Sequence, residues 1–154
     1  MINFAPNQRI NNFNSIKCGR TGQKTLHQLR RLKAVNPTIN KTSFGSITVD
    51  GESYDHDIII TLDGIVKKRK KKLSKAVYGT SHKISLDEIR YTYQDMSEGI
   101  VIGSGQHGIA ELSNEASQYL NNNNCQVVLR PTPEAIQEWN KSKGRWIGLF
   151  HITC

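Results

Sequence analysis

The chain has 154 residues, a net charge of +8, 36% hydrophobic and 22% charged residues, which suits one folded domain with a single core and a polar appendage. No apolar run approaches the ~20 residues that a membrane helix needs, and no apolar segment near the start suggests a secretory signal. Cys18, Cys125 and Cys154 are too few and too scattered for a disulfide framework, so a reducing compartment is expected, either cytosol or mitochondrial matrix.

The charge is unevenly divided. Residues 1–49 hold no Asp or Glu but eight basic residues, Arg9, Lys17, Arg20, Lys24, Arg30, Arg31, Lys33 and Lys41. From Asp50 onward, 13 basic residues balance 13 acidic ones. A nucleic-acid-binding fold would carry the positive field on its own body, so nucleic acid is not the favoured partner. Residues 1–42 are rich in Asn, Gln and Arg and should not fold alone. Within them Leu26, Leu29 and Leu32 repeat at helical spacing, with Arg30, Arg31 and Lys33 on the other side. A basic, acid-free, weakly amphipathic leader reads as a mitochondrial import signal, or else as a disordered tail or docking arm.

The folded body is expected from residue 43. Ile47 and Val49 alternate with Ser46 and Thr48 in a strand that includes Phe44, and Asp50-Gly51 marks a type I′ hairpin. Residues 54–61, with Ile58-Ile59-Ile60, read as the partner strand, and Asp63-Gly64 turns the chain into Ile65-Val66. A small antiparallel meander over 44–66 follows. Asp55 and Asp57 would share one face of its second strand, facing the basic run as salt-bridging or catalytic carboxylates, with His56 on the other face.

Lys67, Lys68, Arg69, Lys70, Lys71, Lys72 and Lys75 form that run. It reads as a solvated loop or strand end, or as a contact surface for phosphate or an acidic protein. It lacks the interleaved aromatics that base stacking needs. Tyr78, Gly79, Thr80, Ser81 and His82 form a polar loop. Ser85 then caps a short helix whose positive end favours Asp87 and Glu88.

Residues 99–102 are a β-branched strand, Ser113 caps a helix to about Leu120, and residues 126–129 are a further strand. Thr132 reads as the N-cap of a helix with Pro133 at its first position, ending near Gly144. Residues 145–154 form a terminal strand apolar enough to be central, because an exposed edge of that composition would aggregate. Gly148 there admits a close neighbour. The order is thus an N-terminal meander followed by β-α-β-α-β, an α/β fold of three layers on a mixed central sheet.

Three constellations bear on chemistry. Gly103, Gly105 and Gly108 match G-x-G-x-x-G after a strand, but the helix signal waits until Ser113 and no acidic residue ends the next strand. The loop reads instead as a tight turn or a nest of backbone N–H groups for a small anion. His82, His107 and His151 lie at loop or strand-end positions, and Cys154 lies three residues beyond His151. They read as packed structural groups, or as a zinc or thiol–imidazole site if the sheet edge brings them together. Glu134 and Glu138 are solvated on the last helix.

Six separate segments carry a family resemblance: Phe44-Gly45-Ser46-Ile47, Tyr54-Asp55-His56-Asp57, Tyr78-Gly79-Thr80-Ser81-His82, Val101-Ile102-Gly103-Ser104-Gly105, Pro131-Thr132-Pro133-Glu134-Ala135 and His151-Ile152-Thr153-Cys154. Together they make residues 43–154 resemble the adipogenesis-associated Mth domain-containing family. The resemblance implies a three-layer α/β domain with a mixed central sheet. It implies no established reaction and no catalytic residues. A distant branch of similar fold acts in assembling mitochondrial respiratory complex I; that branch lacks the His-x-Thr-Cys ending that this chain carries, and in this the chain departs from it.

The expectation is therefore a non-enzymatic binding or assembly module with a protein partner, no cofactor, no resident metal and no membrane-spanning helix, set in the mitochondrial matrix or the cytoplasm. Its binding patch would comprise Tyr78, Gly79, Thr80, Ser81, His82, Gly103, Ser104, Gly105, His107, His151 and Cys154. Lys67, Lys68, Arg69, Lys70, Lys71 and Lys72 would form a basic contact surface. The rival is a small-ligand binder or enzyme using His107, His151 and Cys154.

Overall fold

The computed structural model describes residues 36–154. The expected helix around Leu26, Leu29 and Leu32, the leader reading and Cys18 fall outside the described residues.

Strands β1 (Ile39–Ser43), β2 (Ser46–Val49) and β3 (Glu52–Tyr54) form an antiparallel three-stranded sheet. The β2–β3 turn has positive φ at Asp50 and Gly51, as the Asp-Gly pair predicts. Three features differ from expectation. Phe44, expected within the strand, lies in the turn between β1 and β2. Residues 39–42, which composition places in the extension, are already β1. The continuous strand over 54–61 is broken at Asp55 and His56, and β4 (Ile58–Ile60) joins a different sheet. The reason is burial: β4 is buried at all three positions, so it needs apolar cover on both faces, which the outer sheet does not offer.

The central sheet has five strands in the order β5-β4-β10-β7-β9. Its added members are β5 (Val66–Lys68), β7 (Gly99–Ser104), β9 (Gln126–Arg130) and β10 (Trp146–His151). The terminal strand is central, as its composition requires. It lies antiparallel to β4 and parallel to β7, and β7 is parallel to β9, so the sheet is mixed. Gly148 is where two aromatics approach: a Cβ there would lie 2.6 Å from Phe150 and 3.2 Å from Trp139.

Helices α1 (Lys72–Tyr78), α2 (Leu86–Thr92), α3 (Asn114–Asn122) and α4 (Thr132–Lys141) complete the fold, with a two-stranded parallel pair, β6 (Lys83–Ile84) and β8 (Glu111–Leu112). None of these helices is long and apolar enough to cross a membrane. Ser85 and Ser113 cap α2 and α3 as predicted, accepting from the N–H groups of Glu88 and Ala116. The basic run is not wholly loop: Lys67 and Lys68 belong to β5, and Lys72 and Lys75 to α1. Pro131, not Thr132, occupies the N-cap position of α4, and that helix ends at Lys141. Thr132 is thereby free for another bond.

Alternation along β10 and β7 splits the core. Phe150 and Val101 meet α4 and the outer sheet through Trp139, Ala135, Ile47 and Val49. Ile147, Leu149, Ile100 and Ile102 meet α2 and α3 through Ile89, Ala116 and Leu120. The chain after β7 therefore runs to one face of the sheet and the chain after β9 to the other.

Candidate functional site

The register draws a polar row across the C-terminal ends of the parallel strands. Lys68 pairs Ile58, Ile58 pairs Phe150, and His151 pairs Ser104. One residue further along, Arg69, Asp57, His151 and Ser104 fall side by side. Two residues beyond Leu149 and Ile102, His151 and Ser104 share their face, toward α2 and α3. Polar groups stand where the apolar strands run out, which is where α/β sheets place their sites.

These groups bind one another. Arg69 is 3% exposed. Its Nε donates to Glu88 Oε1 at 2.5 Å, Nη1 to Asp57 Oδ2 at 3.1 Å, and Nη2 to the Ser81 carbonyl at 2.8 Å and Glu88 Oε2 at 3.2 Å. Such a fork between two carboxylates is what Arg provides and Lys does not. Glu88 is fully buried and takes a further short hydrogen bond from Ser74 Oγ. Ser74 Oγ in turn accepts the Ser85 N–H at 2.9 Å. Asp57 Oδ1 accepts the Ile152 N–H at 3.0 Å.

His151 is 2% exposed, with its Nδ1 2.7 Å from Asp57 Oδ2. The carboxylate only accepts, so Nδ1–H donates. Arg69 Nη1, 3.4 Å from that nitrogen, is then a close contact rather than a hydrogen bond, since both groups are donors. Nε2 meets the Thr153 hydroxyl at 3.2 Å, and the ring lies edge-on to His82 with centroids 5.5 Å apart.

Burial alone would raise the Asp57 pKa. The His151 hydrogen bond, the Ile152 N–H and attraction to His151 and Arg69 overcome it, holding the carboxyl at about 2 against an ordinary 3.8. A depressed carboxyl stabilises the fold above its unfolded pKa. Asp57 is therefore expected to contribute about 2 kcal/mol at neutral pH, lost as pH falls from about 4 to about 2. An NMR titration of the Asp57 carboxyl checks this; a midpoint near 4 would overturn it.

The glycine loop is closed by the chain itself. Gly105 N–H donates to Thr132 Oγ1 at 2.9 Å, Gln106 N–H to the Thr153 carbonyl at 2.7 Å, and His107 N–H to the Cys154 carbonyl at 3.0 Å. Gly108 N–H turns back to Gly105 at 3.2 Å. The expected anion nest is thus occupied by main-chain carbonyls, and no helix opens behind it for a pyrophosphate. Thr132 Oγ1 also donates to the His151 carbonyl at 2.5 Å, locking loop, helix and terminal strand together.

The predicted patch divides by depth. Gly103, Ser104, Gly105 and His151 are buried. Tyr78, Thr80, Ser81, His82 and Cys154 are half-buried, while Gly79 and His107 are exposed. His82 and Ser104 come against His151; His107 and the Cys154 thiol make no side-chain hydrogen bond to any described residue. Among the described residues, no three or more His, Cys, Asp or Glu side chains converge as a metal site. Cys125 and Cys154 are free, and burial pushes the Cys125 thiol up to about 11. The Ser104 hydroxyl is buried without a partner among the described residues.

Two expectations need correction. Arg69 belongs to the interior and not to the contact surface, because its strand partner row places it beside Asp57. Asp55 and Asp57 do not share a strand face: they lie outside any strand, Asp55 exposed and Asp57 buried. Glu88 stands in the first turn of α2 as expected, and it is buried there. Sequence reasoning missed Glu88, Ser74, Thr132 and Thr153. Two signals pointed to the network: a single Arg within a run of lysines, and Asp57 as a salt-bridging carboxylate facing that run, which it is through Arg69.

Comparison with known proteins places these features in a family. The model of a protein of unknown function, DUF498/DUF598, matches residues 39–150. PH1505 from Pyrococcus horikoshii OT3, a conserved hypothetical protein, is similar at 30% identity over 76% of this chain and 99% of that one, with a TM-score of 0.71. MT938 is similar at 32% identity, covering 77% and 100%, with a TM-score of 0.65. A Mth938-like domain from Bordetella pertussis shares the fold at 14% identity, covering 79% and 87%, with a TM-score of 0.55. No curated protein matches the chain.

Proposed function

The chain belongs to the DUF498/DUF598 family, and from that premise we propose that it is a non-enzymatic binding module that assists protein assembly. The observation that carries this reading is an unmatched cationic face. Lys67, Lys68, Lys70 and Lys72 are exposed, and Lys71 and Lys75 lie beside them. None of these lysines forms an ion pair with a described residue; the described ion pairs involve Arg69 and His151 alone. Residues 1–49 contain no acid that would neutralise the face from within the chain.

The face runs from β5 through α1 into residues 78–82, which Arg69 anchors through the Ser81 carbonyl. The groups best suited to acid–base chemistry, Asp57, Glu88 and His151, are buried. His151 is sealed and its ring nitrogens are engaged, which weighs against a catalytic role.

The acid-free leader supports a mitochondrial matrix setting. The resemblance to the adipogenesis-associated Mth domain-containing family, with its distant complex I assembly branch, makes respiratory-complex assembly the concrete form of this role. Cell fractionation followed by affinity capture of the full chain tests both parts. The expected result is mitochondrial recovery with a stoichiometric protein partner, lost in a folded variant carrying Lys67→Glu, Lys68→Glu, Lys70→Glu and Lys72→Glu. Cytosolic recovery would end the address. Capture unchanged by charge reversal would end the basic face.

A further inference from the structure

The cationic face borders an open sheet edge and a small cleft, and the two together define a partner more narrowly. β5 is an end strand, paired only with β4 among the described strands. Arg69 N–H donates to the Asp57 carbonyl, and the Ile65 carbonyl accepts from Thr61 N–H. Antiparallel alternation thus turns the odd residues toward β4 and the N–H and C=O groups of Val66 and Lys68 outward.

Beside this edge lies a cleft of about 190 Å³ lined by Ile59, Thr61, Lys67, Tyr91, Thr92 and Gln94. It contains no carboxylate. Gln94 Oε1 accepts the Leu62 N–H at 2.7 Å, which fixes the amide and leaves its NH2 as donor. Thr92 Oγ1 already donates to the Glu88 carbonyl at 2.9 Å. The remaining polar groups are the Lys67 ammonium, the Gln94 NH2, the Thr61 hydroxyl and the Tyr91 hydroxyl, a set weighted toward donors. Tyr91 is 50% exposed, and the Lys70 ammonium stands 5.8 Å from its ring centroid. Of the acids nearest in sequence, Asp63 and Asp95 are exposed and Asp57 is paired with Arg69 and His151; none of them lines the cleft.

Resting on the binding-module reading, we infer that the partner offers an acidic extended segment that adds to the outer edge of β5 and seats a carboxylate side chain in the Tyr91–Lys67–Gln94 cleft. Lysines on the edge repel a second copy of the same edge, as edge strands generally require, yet they suit a strand of opposite charge. Nucleic acid fits less well. The run has no interleaved aromatics for base stacking, whereas outward N–H and C=O groups match a peptide backbone.

The test uses the full chain and a blocked peptide of alternating glutamate and valine, with a lysine–valine peptide as control. Binding of the acidic peptide should slow amide exchange at Val66 and Lys68 by about tenfold or more. Lys67→Glu with Lys68→Glu, both surface changes, should weaken binding by about tenfold. Gln94→Glu, which keeps the side-chain shape but places a carboxylate at the cleft, should weaken it similarly. Binding without protection of Val66 and Lys68, or preferential retention of single-stranded RNA, would overturn the inference. If charge reversal abolishes partner capture while these amides stay unprotected, strand addition fails and the binding-module reading stands. If charge reversal leaves partner capture unchanged, the binding-module reading itself fails.

Discussion

Arg69→Met is expected to lower the free energy of unfolding by about 3–5 kcal/mol, the range for removing one member of a buried ion network. Methionine approximates the length of the side chain, so packing loss is small. What is lost is the guanidinium that bridges Asp57 and Glu88, both nearly sealed from water. Those carboxylates then lie buried with hydroxyl, imidazole and backbone donors but without their cation, and their charged forms are penalised. The pH response of Asp57 should keep its sign, because the His151 hydrogen bond and the Ile152 N–H that hold its carboxyl low remain in the variant. Urea unfolding at neutral pH measures the loss. Adding Asp57→Asn and Glu88→Gln should recover part of the loss, because neutral amides replace stranded charges. A loss under about 1 kcal/mol in the single variant would show that the ion network is not what holds this end of the sheet.

Gly105→Ala should be the second large effect, at about 2–4 kcal/mol from backbone strain and overpacking combined. Gly105 sits at φ +101°, and a Cβ there would overlap the Cys154 carbonyl carbon and lie 2.8 Å from the Thr153 carbonyl oxygen. These are main-chain atoms and cannot swing aside. Relief would require the tail to move, breaking the hydrogen bonds from Gln106 and His107 that hold it. Gly108→Ala is the internal comparison. Its φ is +72°, but its Cβ would meet the Pro131 ring at 3.0 Å and no main-chain atom as closely, so the loss should be about half as large. Thermal unfolding of the two variants side by side checks the ranking, and equal stability would overturn it.

The glycines show how differently two readings of one motif depend on distance. Gly103, Gly105 and Gly108 stand at the spacing that draws phosphate in other folds. Their use here is internal: a Cβ at Gly103 would lie 2.7 Å from Thr132 Oγ1, and Gly105 makes room for the chain end. Nothing within the loop announces this, because the groups that fill it come from Thr132, Thr153 and Cys154. Arg69 poses the same problem. It reads as one more cation in a basic run. Its partners lie 12 residues away at Asp57 and 19 away at Glu88, while Asp57 reaches His151 across 94. Only the pairing of β5, β4 and β10 brings them into line.

What the sequence by itself determined was set by short-range physics. Ser85 and Ser113 satisfy open helix N–H groups within their own first turns, and Asp50-Gly51 adopts the positive φ values of its hairpin. The terminal strand, apolar on both faces, had to be central, and it lies between β4 and β7. The tertiary structure alone decided where the first sheet ends and the second begins, which cation turns inward, and which amides face outward from the edge of β5. Those choices rest on contacts between residues far apart in the chain, where residue type restricts the options and strand register selects among them.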